Sequence, residues 1–119
     1  MKIYLSHSTN MNYQKLYESV KKIENVRFVL PHSGKAIKSK NVIKKCSLMI
    51  ADVSKPSHGV GIEIGWADSF HVPVILICKK GSKVSSSLKI ISKRLVEYKN
   101  FDDAAVKIQN EIRRIKNGK

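Results

Sequence analysis

Acidic residues are scarce in this chain: nine Asp and Glu stand against twenty-three Lys and Arg, a formal charge of +14. So basic a surface favours anionic partners. Long apolar runs are missing too. None reaches the ~20 residues that a membrane-spanning helix needs, so no membrane partner is expected. The opening Met1-Lys2-Ile3-Tyr4-Leu5-Ser6 turns polar too soon for a signal peptide. Cysteine is rare. Cys46 and Cys78 make no metal-ligand spacing and fit a reduced, cytoplasmic setting. No metal or cofactor is therefore expected. Aromatic residues make up 7% and do not interleave with the lysines. There is no helix-turn-helix or RNA-recognition signature, so the charge points to a small phosphorylated ligand rather than to nucleic acid.

What is present is a regular alternation. At 119 residues, 42% of them apolar, the chain fits one domain spanning 1–119. Lys2–Ser6 reads as a first strand. Tyr13, Leu16, Tyr17, Val20 and Ile23 form a stripe at helical spacing. Val26–Leu30 reads as a second strand, and Pro31-His32-Ser33-Gly34 as a loop. Residues 37–46 read as a short basic helix and Leu48–Val53 as a third strand. A helix carrying Glu63 is expected to run to about His71. Val72–Cys78, apolar throughout, suits a central parallel strand. Ser86–Ser92 reads as a helix and Leu95–Tyr98 as a fifth strand. Ala105, Ile108, Ile112 and Ile115 mark a closing helix. The expectation is a three-layer α/β fold. Its five-stranded parallel sheet takes the flavodoxin-like (Rossmann-like) order 2-1-3-4-5, with helices on both faces.

That order sets two loops side by side at the carboxyl edge, where open α/β sheets bind ligands. Ser6-His7-Ser8-Thr9-Asn10 leads into a helix, and such a start either binds an anion or is merely capped by Thr9, Asn10 or Asn12. The stretch D-V-S-K-P-S-H-G-V-G-I-E-I-G-W from Asp52 to Trp66 follows the third strand. Gly59 and Gly61 there leave room for a close ligand. Glu63 is expected in the first helical turn, where a carboxylate serves as a nucleophile or cation stabiliser, or simply satisfies the helix end. Tyr4, near the carboxyl end of the first strand, either packs in the core or reaches Glu63 or a ligand.

Together, Y-L-S-H-S-T-N and A-D-V-S-K-P-S-H-G-V-G-I-E-I-G-W-A resemble the nucleoside 2-deoxyribosyltransferase superfamily, over about residues 2–98. The nearest branch is the 2′-deoxynucleoside 5′-monophosphate N-glycosidases. The resemblance implies that Glu63 attacks the anomeric carbon and expels the base, and that a glycosyl ester is then resolved by water. It places an active-site tyrosine at Tyr4. It assigns substrate binding to Ser6, Ser8, Thr9, Asn10, Ser57, Gly59 and Gly61. Ser87 corresponds to a serine supplied across a homodimer interface. Transferases acting on free nucleosides carry an aspartate at position 57. A serine can instead donate to a 5′-phosphate.

The chain departs from the family in three places. Ser39 stands where the family has an aspartate thought to assist the leaving base, and no acid occurs between Arg27 and Ala51. His7 and Asn10 replace a glycine and an arginine of the phosphate loop. The segment after the second strand is short. Base exchange between nucleosides and nucleotide sensing without catalysis are the competing expectations.

Overall fold

The computed structural model describes residues 1–32 and 38–118. Its elements run β1 (Lys2–Ser6), α1 (Tyr13–Val20), β2 (Arg27–Val29), α2 (Ser39–Lys44), β3 (Leu48–Asp52), α3 (His58–Ser69), β4 (Val74–Lys79), α4 (Ser86–Ile91), β5 (Leu95–Tyr98) and α5 (Phe101–Gly118). All five strands are parallel, in the order β2-β1-β3-β4-β5. This is the expected fold class and strand order. Ile37, the first residue of the expected second helix, and Ser33 and Gly34 of the expected loop lie outside the described residues.

Strand periodicity sorts side chains onto two faces. Ile3, Leu5, Leu48, Ile50, Ile75 and Ile77 pack with Leu16, Tyr17 and Val20 of α1 and Ala104, Ile108 and Ile112 of α5. The intervening Tyr4, Met49, Ala51, Leu76 and Cys78 pack with Ile43 of α2 and Val60, Ile64 and Ala67 of α3. Each fully buried aliphatic side chain contributes about 1.5–3 kcal/mol. The central strands β1, β3 and β4 are covered on both faces, which is why they read as unbroken apolar runs.

Several boundaries differ from expectation. β2 is three residues rather than five and lies at the sheet edge, where only one neighbour holds it. β4 starts at Val74 rather than Val72, because the Val72 N–H bonds back to Ala67 O of α3. Just before it, His71 takes φ 60°, the left-handed turn that ends α3. Helix α3 starts at His58, five residues ahead of Glu63.

One ion pair fastens α5 to the segment before β5. Arg94 donates Nε and Nη2 to the two Glu111 carboxylate oxygens, each at 2.6 Å, and Arg114 adds a contact of 3.2 Å. The Arg94 hydrogen bonds, chiefly, hold the Glu111 carboxyl below its ordinary value of 4.5. A depressed acid stabilises the fold above its unfolded value, and that stability is lost as pH falls through the folded one. Arg94 is half exposed, so screening limits the effect. Glu111→Gln is expected to cost about 1 kcal/mol at pH 7 and nothing well below pH 4, read from urea midpoints at the two values.

Candidate active site

Glu63 is gripped by two hydroxyls. Tyr4 Oη donates to Glu63 Oε2 at 2.8 Å, and Ser6 Oγ donates to Oε1 at 2.7 Å. Residues 4 and 6 of a strand share one face, here the face covered by α3. Tyr4 has a single hydroxyl hydrogen. Once it is given to Glu63, the phenol oxygen is left to accept from Ser39 Oγ, 3.0 Å away. Burial first, then the nearby Glu63 charge, hold the Tyr4 phenol well above its ordinary value, and Ser39 pulls it back in part. Tyr4 therefore stays a donor through the neutral range. A half-buried carboxylate fixed in this way can attack an electrophilic carbon or face a developing cation.

The first-turn expectation for Glu63 is corrected. Glu63 is the sixth residue of α3, in its second turn, because Ser57 caps the helix from an extended conformation. Gly59 and Gly61 are accordingly helical residues rather than parts of an open turn. Neither has a positive φ. A Cβ added to Gly61 would meet nothing within 4 Å, and one on Gly59 would sit 3.8 Å from Ser57 Oγ. Backbone conformation does not demand glycine at either position. What Gly59 supplies is a bare surface beside the Ser57 hydroxyl.

The two loops do meet. Ser8, Thr9 and Asn10 line a cavity of ≈ 290 Å³ together with Pro56, Ser57 and His58. Asn12, not Thr9 or Asn10, caps α1 by accepting from the Lys15 N–H. Thr9 and Asn10 are thus exposed ahead of the helix. Ser57 Oγ accepts from the Val60 N–H, which leaves its own hydrogen to donate. Glu63 does not line this cavity. It lies six residues beyond Ser57 on the same helix, about 9 Å of rise. Ser87 is exposed on α4, where its N–H donates to Ser85 Oγ, the cap of that helix.

Sequence reasoning missed two networks behind these loops. His7, read only as a substituted loop residue, is buried. Its Nδ1 lies 2.9 Å from the Ser8 carbonyl, which can only accept, so Nδ1 carries the hydrogen. Nε2 then accepts from the Tyr17 hydroxyl at 2.6 Å, while Tyr17 accepts from the His32 N–H at 3.0 Å. Burial chiefly lowers the His7 value, in keeping with a neutral ring, and raises Tyr17 to about 12. The chain fastens the Ser8 loop to the segment after β2. Tyr17 showed in the sequence only as one member of a core stripe.

The second network is Asp52 with Tyr98. Tyr98 Oη donates to Asp52 Oδ2 at 2.6 Å, the Ser54 N–H donates to Oδ1 at 2.9 Å, and Ser54 Oγ receives the Lys79 N–H. This anchors the start of the loop that carries Ser57. Asp52 faces the α1/α5 side of the sheet, opposite Glu63. A strand-end aspartate beside a distant tyrosine leaves no sequence signal until the sheet order is known.

A larger recess of ≈ 480 Å³ lies between α1 and the start of α5, edged by Lys15, Lys22, Lys79 and Lys99. None of Tyr4, Ser6 or Glu63 lines it. Among the described residues no group of three or more His, Cys, Asp or Glu could hold a metal ion. No helix among them is long and apolar enough to cross a membrane.

No family model matches the chain. A protein of Syntrophotalea carbinolica named "Putative 2'-deoxynucleoside 5'-phosphate N-hydrolase 1" is 28% identical over 60 residues, 50% of this chain and 42% of that protein. The match thus spans under half of the relative's length. A CMP N-glycosidase of Clostridium botulinum superposes with a TM-score of 0.70 at 19% identity, covering 93% of this chain and 99% of the other. A conserved protein from Enterococcus faecalis V583 gives 0.71 at 14% identity, covering 93% and 98%. The structural matches extend the fold over nearly the whole chain. The name of the S. carbinolica relative agrees with the resemblance that the motifs carry, and the two structural matches show the shared fold.

Proposed function

We propose that the chain is an N-glycosidase acting on nucleoside 5′-monophosphates, with release of the free base and the sugar 5-phosphate. The observation that carries this reading is the Glu63 carboxylate, held by Tyr4 and Ser6 hydroxyls at 2.8 and 2.7 Å on the helix whose cap, Ser57, lines a cavity of loop hydroxyls. The names of the S. carbinolica relative and the C. botulinum structure support it. In this reading Glu63 attacks C1′ of the sugar and forms an ester, and water hydrolyses the ester. Ser8, Thr9, Asn10 and Ser57 hold the phosphate, and Gly59 and Gly61 give the sugar room. The positive charge of the chain draws the substrate in. A 2′-deoxy sugar fits best, because no electron-withdrawing hydroxyl opposes positive charge at C1′. Ser87 would complete the phosphate site of a second copy in a homodimer. The two buried free cysteines suit a reducing, cytoplasmic compartment.

The test is a panel of the four deoxynucleoside and four ribonucleoside 5′-monophosphates, with free base followed by chromatography. Release from none of them would sink the reading. A new nucleotide formed on adding a second base would make the chain a transferase. Ser57→Asp checks the phosphate assignment. A carboxylate beside the phosphate is expected to lower kcat/KM for a monophosphate by on the order of 10²-fold and to spare the matching free nucleoside. Equal loss on both substrates would remove Ser57 from phosphate binding.

A further inference from the structure

The chain has nine carboxyl side chains, so each can be placed in turn. Eight remain beside Glu63. Asp52 is fully buried on the opposite face of the sheet, with both oxygens occupied by Tyr98 and Ser54. Glu111 is held by Arg94 and Arg114 on α5, and Asp103 pairs with Lys107. Glu18, Glu24, Asp68, Glu97 and Asp102 are exposed. None of them hydrogen-bonds to Tyr4, Ser6, Ser39 or Glu63 among the described residues. The side chains hydrogen-bonded to the Tyr4–Glu63 pair are Ser6 and Ser39, hydroxyls far too weakly acidic to hand over a proton. His7 is buried and neutral, with its one hydrogen committed to the Ser8 carbonyl.

From this placement, and resting on the glycosidase reading above, we infer that the base leaves without a carboxylic acid to protonate it. The choice of base is then set by how well the base carries the bond's electrons. As Glu63 forms its bond to C1′, the C1′–N bond breaks and its electron pair goes to the base nitrogen. The base departs as its nitrogen anion and takes a proton from water. A second water attacks C1′, loses a proton and frees Glu63. Protons balance, and no further reactant is needed. Ser39 becomes the specificity-determining position. Where an acid assists, the departing nitrogen gains a proton as it leaves and the rate depends little on the base. Where none does, the full negative charge develops on the base. The substrate class favoured is then a nucleotide whose base bears electron-withdrawing substituents.

Matched substrates test this. The 5′-monophosphates of 5-fluorouracil and uracil, 5-fluorocytosine and cytosine, and 2-fluoroadenine and adenine deoxynucleosides differ by one ring fluorine. All three pairs are assayed in single turnover, and in every pair that reacts the fluorinated base is expected to leave at least ~10-fold faster. Ser39→Asp is expected to raise the rate of the parent base and shrink the gap. Equal rates within a pair for the native protein would overturn the inference and leave the glycosidase reading intact. If equal rates become unequal in His32→Gln or His58→Gln, that histidine is the acid, and the inference is wrong by a named residue. Failure of every nucleotide to react would instead remove the reading on which the inference stands.

Discussion

Replacing Glu63 by alanine is expected to lower base release by about 10⁴-fold or more, because it deletes the covalent route and not merely a contact. The scale follows from the difference between losing a nucleophile and losing a helper. Removing one charge-stabilising donor typically costs about 10²–10³ in rate. Removing the attacking atom leaves only the binding and orientation supplied by the remaining groups. The fold should survive, since Glu63 is half-buried and its loss strips one acceptor each from Tyr4 and Ser6. That costs about 1–3 kcal/mol. Circular dichroism confirms the fold, and single-turnover chromatography of the best monophosphate reads the rate. A small anion such as azide should partly restore release by entering the vacated space, with a glycosyl azide as product. A Glu63→Ala protein that keeps a tenth of the native rate would take the nucleophile role away from Glu63.

The fold was legible because its signals are of the strong kind. Four of the five strands are runs with few polar interruptions, and α1 and α5 carry stripes at 3.6-residue spacing. The 2-1-3-4-5 order, expected as a common order of five-stranded doubly wound sheets, is the one observed. The late start of β4 has a plain physical origin. Local pattern does not show where a backbone group is captured by a neighbour. Val72 is apolar enough for a strand, yet its N–H belongs to the end of α3.

The candidate site was legible in its residues and misread in its local structure. Glu63 stood out because of the glycines around it, which suggested an open turn. The Ser57 cap instead winds those glycines into the helix and moves Glu63 to the second turn. Ser57 is a good N-cap residue, and N-cap strength was the cue to follow. Tyr4 and Ser6 could be placed on one strand face from alternation alone, but their shared grip on Glu63 needs the α3 packing. The His7–Tyr17–His32 chain and the Asp52–Tyr98 pair join residues 10 to 46 positions apart. Neither follows any local period, so no single-sequence rule reaches them.

Three buried tyrosines give the second large effect, a loss of stability in alkali. Tyr4, Tyr17 and Tyr98 are 0%, 5% and 3% exposed. Burial chiefly raises each phenol above its ordinary value of 10.0, and Glu63 or Asp52 adds to the rise. The folded protein therefore keeps three protons that the unfolded chain releases above about pH 10. Stability from these groups is fully present below that pH and falls as pH rises through the window up to the folded values. Each phenol contributes a slope of about 1.4 kcal/mol per pH unit, so three give at most about 4. Against a typical total of about 5–15 kcal/mol, a slope of that size removes a large share of the stability by about pH 12. Lysine deprotonation works in the other direction by relieving the self-repulsion of a +14 chain, so the native curve alone does not isolate the tyrosines. Tyr98→Phe does. At pH 8 it should be the weaker protein by about 1–3 kcal/mol, because Asp52 loses the 2.6 Å donor at its buried oxygen. Above pH 10 its stability should fall more slowly, and the two curves from urea midpoints should converge. Curves that stay parallel from pH 8 to pH 11 would show that Tyr98 ionises in the folded protein as it does in the unfolded chain.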